Sequence, residues 1–548
     1  MNRFNDKERI ALRLADIQGN ILNAYGKQGF PKGRAIFLHV EDGEKGRKFL
    51  FDFYERVTTA VRWKSDNPYA PKAETEAPPR PPVTLNFAFT FNGLLALGVP
   101  IKTLSMMPPE FMQGMRARAP ILGDTLPEGA LENWDEVWKH EAQAVGPHNV
   151  HIMALLNSRM DPMTGEPVPE LDELTGEIRS FCQIEGGIRI LKGHGAGNAE
   201  YQDMSARLHK DEATGQYTAL PMEHFGFVDG ISDPVFEGQF LIEDEDARKV
   251  GNGKFVGDFA DEESLCDPDN WEPLATGEFM LGYPDEAKEL PPAARPNLFS
   301  TNGTFMAYRK LEEKVERFEE YIEETVPEFA QVYGIADQTE ARETFMAKFS
   351  GRWRDGVPLS LAPTYEKWVE FNEQNQDQVT RRPKLSQFVY AGDEDGSACP
   401  MSSHIRRVHP RDMLGPIPGS GTILVNRRRI LRRGLPYEDK GEDGAHERGI
   451  VMLICCASLE RQFEFVQQQW INYGMDSNAG NDTCPLLGNR PNKDTKFVIP
   501  KDPDAGDEGA PYICTKLPQF VETKGGAYFF VPSMTSLRMI AIGVIDPT

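Results

Sequence analysis

One order of predicted secondary-structure elements occurs twice along this 548-residue chain, and it constrains the fold more than any other sequence feature. In the first half, apolar and alternating runs predict strands at residues 34–40, 83–91, 148–157 and 185–193. Amphipathic periodicity predicts helices between them at 44–61 and 169–181. The order is therefore β-α-β-β-α-β, which is that of the split ferredoxin-like fold.

The second half repeats this order with longer spacers. Strands are predicted at 304–310, 427–434, 448–458 and 526–533, and helices at 311–326 and 459–472. A single core stops growing at about 250–300 residues, so two cores are expected. We predict an α+β protein with two tandem ferredoxin-like modules, an N-terminal one at 1–222 and a C-terminal one at 223–548. Segments 240–300, 377–400 and 435–447 are predicted as long loops, and 502–509 as a solvated acidic loop.

Charge and composition exclude several classes of partner and location. The formal net charge of −24 argues against a nucleic-acid partner or an anionic membrane surface, because either would select a basic face. No run of about 18 apolar residues is present, so no membrane-spanning helix is expected. Seven scattered cysteines without a C-x-x-C pair, and an N-terminus without the apolar stretch of a secretory signal, predict a cytoplasmic protein.

The segment HFGFVDGISDP at 224–234 places one carboxylate, Asp229, between Gly226 and Gly230. Glycine allows backbone angles that other residues avoid, and it leaves room for a flat ligand beside the chain. The segment is therefore consistent with an acid presented to a ligand. An ordinary Asp-Gly turn is the alternative interpretation.

Two further segments carry residues that could bind a ligand. CPMSSHIRRVHPRD places His404 after small residues, and imidazole is a common ligand of iron. A second histidine, His409, follows five residues later, and either histidine could instead be structural. In NRRRILRRGLPY, strand alternation sends Arg432 and Arg433 to opposite faces, so one can face a ligand and the other an acid or solvent. A basic edge strand that prevents aggregation is the alternative.

Taken in order, FGFVDG, HIRRVHPRD, ILRRGLPY and IVMLICCASLERQFEFVQQQW closely resemble the dye-decolorizing peroxidases, a family of haem peroxidases. DIQGNIL at 16–22, LNFAFTFNGLLALGV at 85–99 and GGAYFFVPS near the C-terminus are also similar to that family. The resemblance thus covers most of the chain, and the long insertions resemble the larger branch of the family. It implies two ferredoxin-like modules with antiparallel sheets, the dimeric α+β barrel type, which agrees with the predicted repeat.

The resemblance also implies a cofactor and its binding residues. One non-covalent haem b per chain is expected, mainly in the C-terminal module, and the chain lacks the C-x-x-C-H motif of covalent haem attachment. His404 matches the proximal iron ligand, although His409 stands where the family often has asparagine. A carboxylate is expected on the second nitrogen of this histidine, with Glu464 and Asp482 as candidates. The residues that match the haem-binding and catalytic positions of the family are Asp229 and Arg432 as the distal pair, with Gly226, Gly230 and Ile231 beside the haem.

These residues predict a peroxidase that reduces hydrogen peroxide and oxidises dyes, phenolics or similar small reductants by one-electron steps. Asp229 would serve as acid and base, and Arg432 would stabilise negative charge on the departing oxygen. A haem-handling or iron-releasing protein on the same fold is one alternative. A metal-free structural or cargo protein, with Asp229 capping a turn, is another. The complete set of Asp229, Arg432 and His404 favours turnover, because storage needs no distal base. The sequence makes no prediction of the oligomeric state.

Overall fold

The computed structural model describes residues 10–64, 77–139, 146–240, 245, 248–257, 262–414, 422–441, 446–490, 495–502 and 509–545. Within these residues nine strands form one antiparallel sheet, in the order β7-β8-β6-β9-β2-β3-β1-β4, and β5 also pairs with β1. The strands are β1 Lys32–Val40, β2 Val83–Phe89, β3 Ile152–Ser158, β4 Ile188–Ile190, β5 Gln202–Ser205, β6 Thr304–Glu313, β7 Leu431–Lys440, β8 His446–Cys456 and β9 Val521–Val531.

Helices connect and cover the strands. The longer or functionally placed ones are α1 Gly43–Phe53, α2 Glu170–Ile184, α3 Val315–Tyr333, α4 Gln338–Ser350, α5 Tyr365–Gln374, α6 His404–Val408 and α7 Met534–Ile542. Shorter helices are Gly19–Leu22, Phe91–Ala96, Ile101–Leu104, Pro109–Gln113, Ala119–Leu122, Glu136–Lys139, Glu262–Cys266, Asn297–Ser300, Gln378–Lys384 and Ile423–Asn426. Three small two-stranded sheets pair Arg207–Lys210 with Tyr217–Leu220, Lys254–Phe255 with Trp271–Glu272, and Lys496–Ile499 with Tyr512–Thr515. No helix in the described ranges is both long and apolar enough to cross a bilayer.

The predicted β-α-β-β-α-β order is present in both halves, and the two halves share one sheet. Strands β1 to β4 with α1 and α2 form the first set, and β6 to β9 with α3 and the helical segments Leu459–Glu464 and Val466–Ile471 form the second. The halves meet where Phe530 of β9 pairs with Phe89 of β2. At the two ends of the sheet, the Gln202 side-chain amide of β5 donates to the Asp439 carboxylate of β7 at 3.2 Å. The sheet therefore curves until its ends meet, as in an α+β barrel.

Both faces of the sheet are buried, which explains the continuous apolar runs in its strands. On β1, Ile36 and Leu38 pack on one face with the helix residues Phe49 and Leu50 of α1. Phe37 points to the opposite face, into a second core that includes aromatic residues from β6 and β9. Strand alternation thus supplies both cores from the same segment.

The helix predicted at 44–61 ends early. Asp42 caps its N-terminus by accepting from the backbone N–H groups of Glu44 and Lys45, and a 3-10 turn, Tyr54–Arg56, follows α1. The Thr58 N–H then donates to the carbonyl of Leu85, and the Ala60 N–H to the carbonyl of Ile17, both at 2.8 Å. Tertiary hydrogen bonds therefore hold 58–60 extended and override the amphipathic pattern.

Other boundaries differ for similar reasons. The helix predicted to end at 326 continues through Pro327 to Tyr333, because Phe329 and Ala330 bury its last turns. The predicted loop 435–447 is wrong, since β7 reaches Lys440 and β8 starts at His446, with 442–445 outside the described residues. The predicted helix 459–472 consists of two π-helical segments, Leu459–Glu464 and Val466–Ile471. Short elements interrupt the predicted loops 240–300 and 377–400, and most of the predicted acidic loop, 503–508, lies outside the described residues.

Candidate functional site

Asp229 lies in an irregular loop that follows the small hairpin Arg207–Lys210 and Tyr217–Leu220. Gly226 and Gly230 have φ angles of +95° and +68°, a region that favours glycine, as the sequence predicted. The Asp229 N–H donates to the carbonyl of Pro221 at 2.8 Å, and the Gly230 N–H donates to Asp229 Oδ1 at 2.7 Å. These bonds fix the carboxylate at the surface of the loop.

The space beside the two glycines differs. A Cβ atom at Gly226 would have its nearest neighbour, an Arg354 side-chain atom, at 3.9 Å, so the backbone there faces open space. At Gly230 a Cβ would lie 3.1 Å from Cε of Lys27, so that face is already covered. Ile231, the next residue, packs against a cluster that includes Trp353. The open surface of the loop is therefore on the Gly226 side.

Strand β7 brings an arginine to this loop. Arg432 Nη2 donates to Asp229 Oδ1, and the two side chains remain 32% and 35% exposed, so both border an opening. Arg433 leaves the opposite face of the strand and donates to Asp233 Oδ1 and to the carbonyl of Ile21, each at 3.0 Å. The prediction that the two arginines face different surroundings is confirmed.

Two opposing effects set the charge of Asp229. Burial acts to raise the pKa of Asp229. The opposite effect is larger in total, because the charge and hydrogen bond of Arg432, the hydrogen bond from the Gly230 N–H and the charge of Lys27 all lower this pKa. The pKa of Asp229 therefore lies below its ordinary value. Burial likewise acts to lower the pKa of Arg432, and the charge of Asp229 raises it above the ordinary value. Asp229 is therefore ionised and able to accept a proton even in mild acid.

His224, within this loop, is another group that could act as a base. Its Nε2–H donates to the carbonyl of Tyr437 at 3.0 Å, and burial lowers its pKa. The imidazole is thus neutral and engaged with the backbone. Asp229 is the better placed proton acceptor.

His404 is the first residue of the short helix α6, after Ser403 at the N-cap. Its Nδ1 lies 3.3 Å from the sulfur of Cys484, and the Leu487 N–H donates to the same sulfur at 3.5 Å. Cys484 is fully buried. Burial acts to raise the pKa of this thiol, but His404 and the charge of Arg407 lower it to about 7.

The expected carboxylate partner of His404 is replaced by this thiol. Glu464 is instead engaged by the guanidinium of Arg118 and by the Tyr528 hydroxyl at 2.7 Å. Asp482 contacts α6 through its backbone carbonyl and not through its carboxylate, since the carbonyl accepts a hydrogen bond from Arg407 at 2.8 Å. The sequence carried no signal for Cys484, because a lone cysteine 80 residues downstream has no pattern that links it to a histidine.

Two arginines hold helix α6 in place. The Arg407 guanidinium donates to the carbonyls of Trp470, at 2.9 Å, and Asp482. Arg406 donates to Asp393 Oδ2 at 2.7 Å and is fully buried. The position of His404 is therefore fixed by contacts on both sides of its helix.

His409 is the C-cap residue that follows α6, and it lies among three buried arginines, Arg352, Arg411 and Arg429. These arginines donate only to backbone carbonyls, and within the described part of the chain none has a carboxylate at salt-bridge distance. Among the described residues, His409 Nε2 and Arg411 Nε are buried and find no hydrogen-bond partner. Burial and the three positive charges hold the pKa of His409 well below its ordinary value. We name this set the arginine cluster, and its concentration of buried positive charge fits an anionic group.

Comparison with known proteins extends this description. Residues 16–189 match the family model described as the DyP dimeric alpha+beta barrel domain. The chain is 26% identical over 555 residues to the multifunctional dye peroxidase DyP2 of Amycolatopsis sp., covering 97% of this chain and 96% of that relative. It is 25% identical to the dye-decolorizing peroxidase AauDyP1 of Auricularia auricula-judae, covering 96% and 86%.

Solved structures share the fold. A dye-decolorizing peroxidase in complex with 2,6-dimethoxyphenol superposes with a TM-score of 0.66 at 23% identity, over 97% of this chain and all of that one. A fungal DyP-type peroxidase from Auricularia auricula-judae superposes with a TM-score of 0.68 at 22% identity, with the same coverage. The whole described architecture is thus that of these enzymes.

Proposed function

The chain belongs to the dye-decolorizing peroxidases, and from this premise we propose that it reduces hydrogen peroxide at a bound haem and oxidises dyes and phenolics by one-electron steps. The observation that carries the proposal is the ion pair of Asp229 and Arg432 at the edge of an opening. Dye peroxidases are named among its relatives, and one similar enzyme was solved with a phenol. Small aromatic reductants are therefore the proposed substrates.

The proposed cofactor is one non-covalent haem b per chain. His404 would hold the iron, the loop that carries Gly226, Gly230 and Ile231 would lie against the ring on its open Gly226 side, and the arginine cluster would receive the negatively charged propionates. The fit rests on the open space at Gly226 and on the buried arginines of the cluster, which donate to backbone carbonyls and to no described carboxylate. When bound, the haem supplies a site for peroxide and stores oxidising equivalents.

The distal pair supplies the proton movement. With haem bound, Asp229 would accept a proton from one oxygen of hydrogen peroxide and return it to the other oxygen, which would leave as water. Arg432 donates to the leaving oxygen and stabilises its negative charge while the O–O bond breaks. Two reductant molecules each supply one electron. Together with two further protons, these two electrons complete the reduction of the second oxygen to water.

Three wider expectations remain part of the proposal. The modules are assigned to 1–222 and 223–548, with the haem in the second, and the two sets of strands support that division. The net charge of −24 supports the absence of a nucleic-acid or membrane partner. The seven free cysteines support a reducing compartment such as the cytoplasm.

The decisive experiment is reconstitution of the purified chain with haem, followed by stopped-flow mixing with hydrogen peroxide. We expect a saturable haem spectrum, rapid oxidation by peroxide and turnover of 2,6-dimethoxyphenol. A haem complex that reacts with peroxide no faster than free haem would support a haem-handling protein instead. Protein that does not bind haem would overturn both interpretations.

A further inference from the structure

Cys484 lies beside the imidazole of His404, where a carboxylate was expected. Its sulfur is 3.3 Å from His404 Nδ1, and its side chain is fully buried. Within the described part of the chain, this sulfur is the one polar partner of the His404 ring. The two candidate carboxylates are on other contacts, since Glu464 accepts from the Tyr528 hydroxyl and Asp482 meets α6 through its backbone carbonyl.

The backbone of Cys484 is held on both sides. Its N–H donates to the carbonyl of Ile471, the last residue of the second π-helical segment, at 2.7 Å. Its carbonyl accepts from the Gly488 N–H at 3.0 Å and from Arg490 Nη2 at 2.9 Å. Because both backbone groups are used, the main chain that carries the thiol is fixed beside helix α6.

The hydrogen bonds at the sulfur indicate which ring nitrogen of His404 carries the proton. The Leu487 N–H donates to this sulfur at 3.5 Å, so the sulfur already acts as an acceptor. A neutral imidazole has one N–H and one nitrogen with a free lone pair. If Nδ1–H donates to the sulfur, the lone pair is on Nε2, which is then available to a metal. If the thiol donated to Nδ1, the proton would be on Nε2 and would block it.

Sulfur and carboxylate oxygen differ in how strongly they accept. Sulfur is large and polarizable, and it accepts hydrogen bonds weakly. A bond to a carboxylate is charge-assisted and roughly twice as strong as one between neutral groups. The partner of a metal-bound imidazole sets the basicity of the ring, and the axial ligand in turn sets the reduction potential of a haem iron. A sulfur partner therefore leaves the iron less electron-rich than a carboxylate would.

We propose that Cys484 is a positioning residue for the peroxidase reaction: its sulfur accepts from Nδ1–H of His404, presents Nε2 to the iron, and keeps the iron reduction potential less negative than a carboxylate partner would. This role rests on the proposed function, because His404 must bind the iron. Cys484 acts through His404 and is not itself the iron ligand. A less negative potential makes the oxidised haem a stronger oxidant, so the enzyme accepts phenols and dyes that give up electrons reluctantly.

Cys484→Asp and Cys484→Ala change the acceptor in opposite directions. The introduced carboxylate accepts more strongly than sulfur, and the methyl group of alanine does not accept at all. We expect the Fe(III)/Fe(II) midpoint potential of the haem-loaded protein to become more negative in Cys484→Asp and less negative in Cys484→Ala. Spectroelectrochemistry measures both shifts. Altered packing alone does not predict opposite signs, because both variants disturb the same buried position.

Haem retention is an independent measurement of the same contact. Loss of the hydrogen-bond partner of a metal ligand typically costs about 10–100-fold in affinity, so Cys484→Ala should lose haem to a haem-scavenging protein roughly tenfold faster than the wild type. Cys484→Ser keeps an acceptor in a similar volume and should retain haem and potential close to those of the wild type. Cys514→Ala is the matched control, because Cys514 is a buried thiol of the same apolar cluster on the small hairpin that pairs Lys496–Ile499 with Tyr512–Thr515.

Substrate range tests the consequence for catalysis. Unsubstituted phenol gives up an electron less readily than 2,6-dimethoxyphenol, whose methoxy groups donate electron density. In Cys484→Asp, the oxidation rate of phenol should therefore fall by a larger factor than that of 2,6-dimethoxyphenol. Cys514→Ala should oxidise both at wild-type rates.

Potentials that equal the wild-type value in Cys484→Asp and Cys484→Ala, or that shift with the same sign, would overturn the role of Cys484. If Cys484→Asp does not fold, the Ala and Ser variants decide: equal potentials and equal haem loss in both and in the wild type would also overturn it. Haem that binds but does not react with peroxide would overturn the peroxidase proposal alone, and the potentials would still decide the role of Cys484. A wild type that does not bind haem would overturn both.

Discussion

Asp229 keeps its negative charge because Arg432 outweighs the effect of burial on its pKa. An ordinary aspartate titrates near about 3.9 and an ordinary histidine near about 6.5. We therefore expect the rate of reaction with peroxide to persist through mild acid and to fall only below the ordinary aspartate value. Stopped-flow measurement across pH checks this, and dye oxidation should also be best at mildly acidic pH.

The same measurement distinguishes Asp229 from His224 as the catalytic base. Asp229→Asn should slow the peroxide reaction by roughly 10²–10⁴, the usual contribution of a general acid–base group, while haem stays bound. If the rate instead follows one ionisation below the ordinary histidine value that is unchanged in Asp229→Asn, then His224, whose pKa burial lowers, is the working base and the assignment is wrong.

Arg432 contributes a fixed positive charge and several donors. Arg432→Leu should slow the reaction with peroxide by about 10²–10³, the usual cost of removing one preorganised donor. Arg432→Lys should recover only part of this rate, because an ammonium lacks the planar fork. A wild-type rate in Arg432→Leu would contradict the role.

The choice of His404 over His409 can be tested by spectroscopy. His404→Ala should lose haem or change its absorption spectrum, because the iron loses its proposed ligand. His409→Ala should leave the spectrum nearly intact, because His409 lies in the arginine cluster, away from Cys484. The reverse result would identify His409, five residues later in the chain, as the iron ligand.

At the scale of elements, the short helix α6 depends on contacts from outside it. Five residues make a helix that is not stable alone. Arg407 supplies hydrogen bonds to the π-helical segment through Trp470 and to the loop that carries Cys484 through Asp482. The orientation of His404 is thus set by residues more than 60 positions away.

Arg407→Lys should therefore weaken haem retention. A lysine keeps the charge but cannot span carbonyls on two elements, so we expect roughly tenfold faster haem loss to a haem-scavenging protein. Arg317→Lys, a half-exposed arginine on α3, is the control and should retain haem like the wild type. Equal rates of haem loss in all three proteins would show that Arg407 does not hold the site.

At the scale of the whole molecule, a buried lysine links the two halves. Lys310 on β6 is fully buried and its Nζ lies 3.0 Å from Asp135, 2.9 Å from Asp439 and 2.9 Å from Glu447. Burial acts to lower the pKa of Lys310, but the three carboxylates raise it, so the ammonium stays charged. The network joins the first half, through Asp135, to β7 and β8.

Lys310→Met should destabilise the fold strongly, because three carboxylates lose their common counter-charge. Removing one partner of a buried ion pair typically costs about 3–5 kcal/mol, so the unfolding temperature should fall clearly. Lys314→Met, which removes a partly exposed lysine paired with Glu312, should cost about 0–1 kcal/mol. Similar unfolding temperatures for the two variants would show that the buried network is not a stabilising link.

The sequence alone determined the element order of both halves and the identity of Asp229, Arg432 and His404 as candidates. The period of the hydrophobic residues indicates which side of a segment is buried, and short motifs indicate an unusual backbone conformation or a concentration of charge. Both features can be recognised from a short stretch of sequence. The opposite directions of Arg432 and Arg433 also followed from strand alternation alone.

Only the tertiary structure decided the partners of these residues. The thiol of Cys484 at His404 and the arginine cluster each join residues far apart in the chain. Such contacts depend on strand register and on how helices and loops pack, which no local pattern encodes. The same reason explains the early end of α1 and the hairpin at 435–447, where pairing with distant segments overrode local preference.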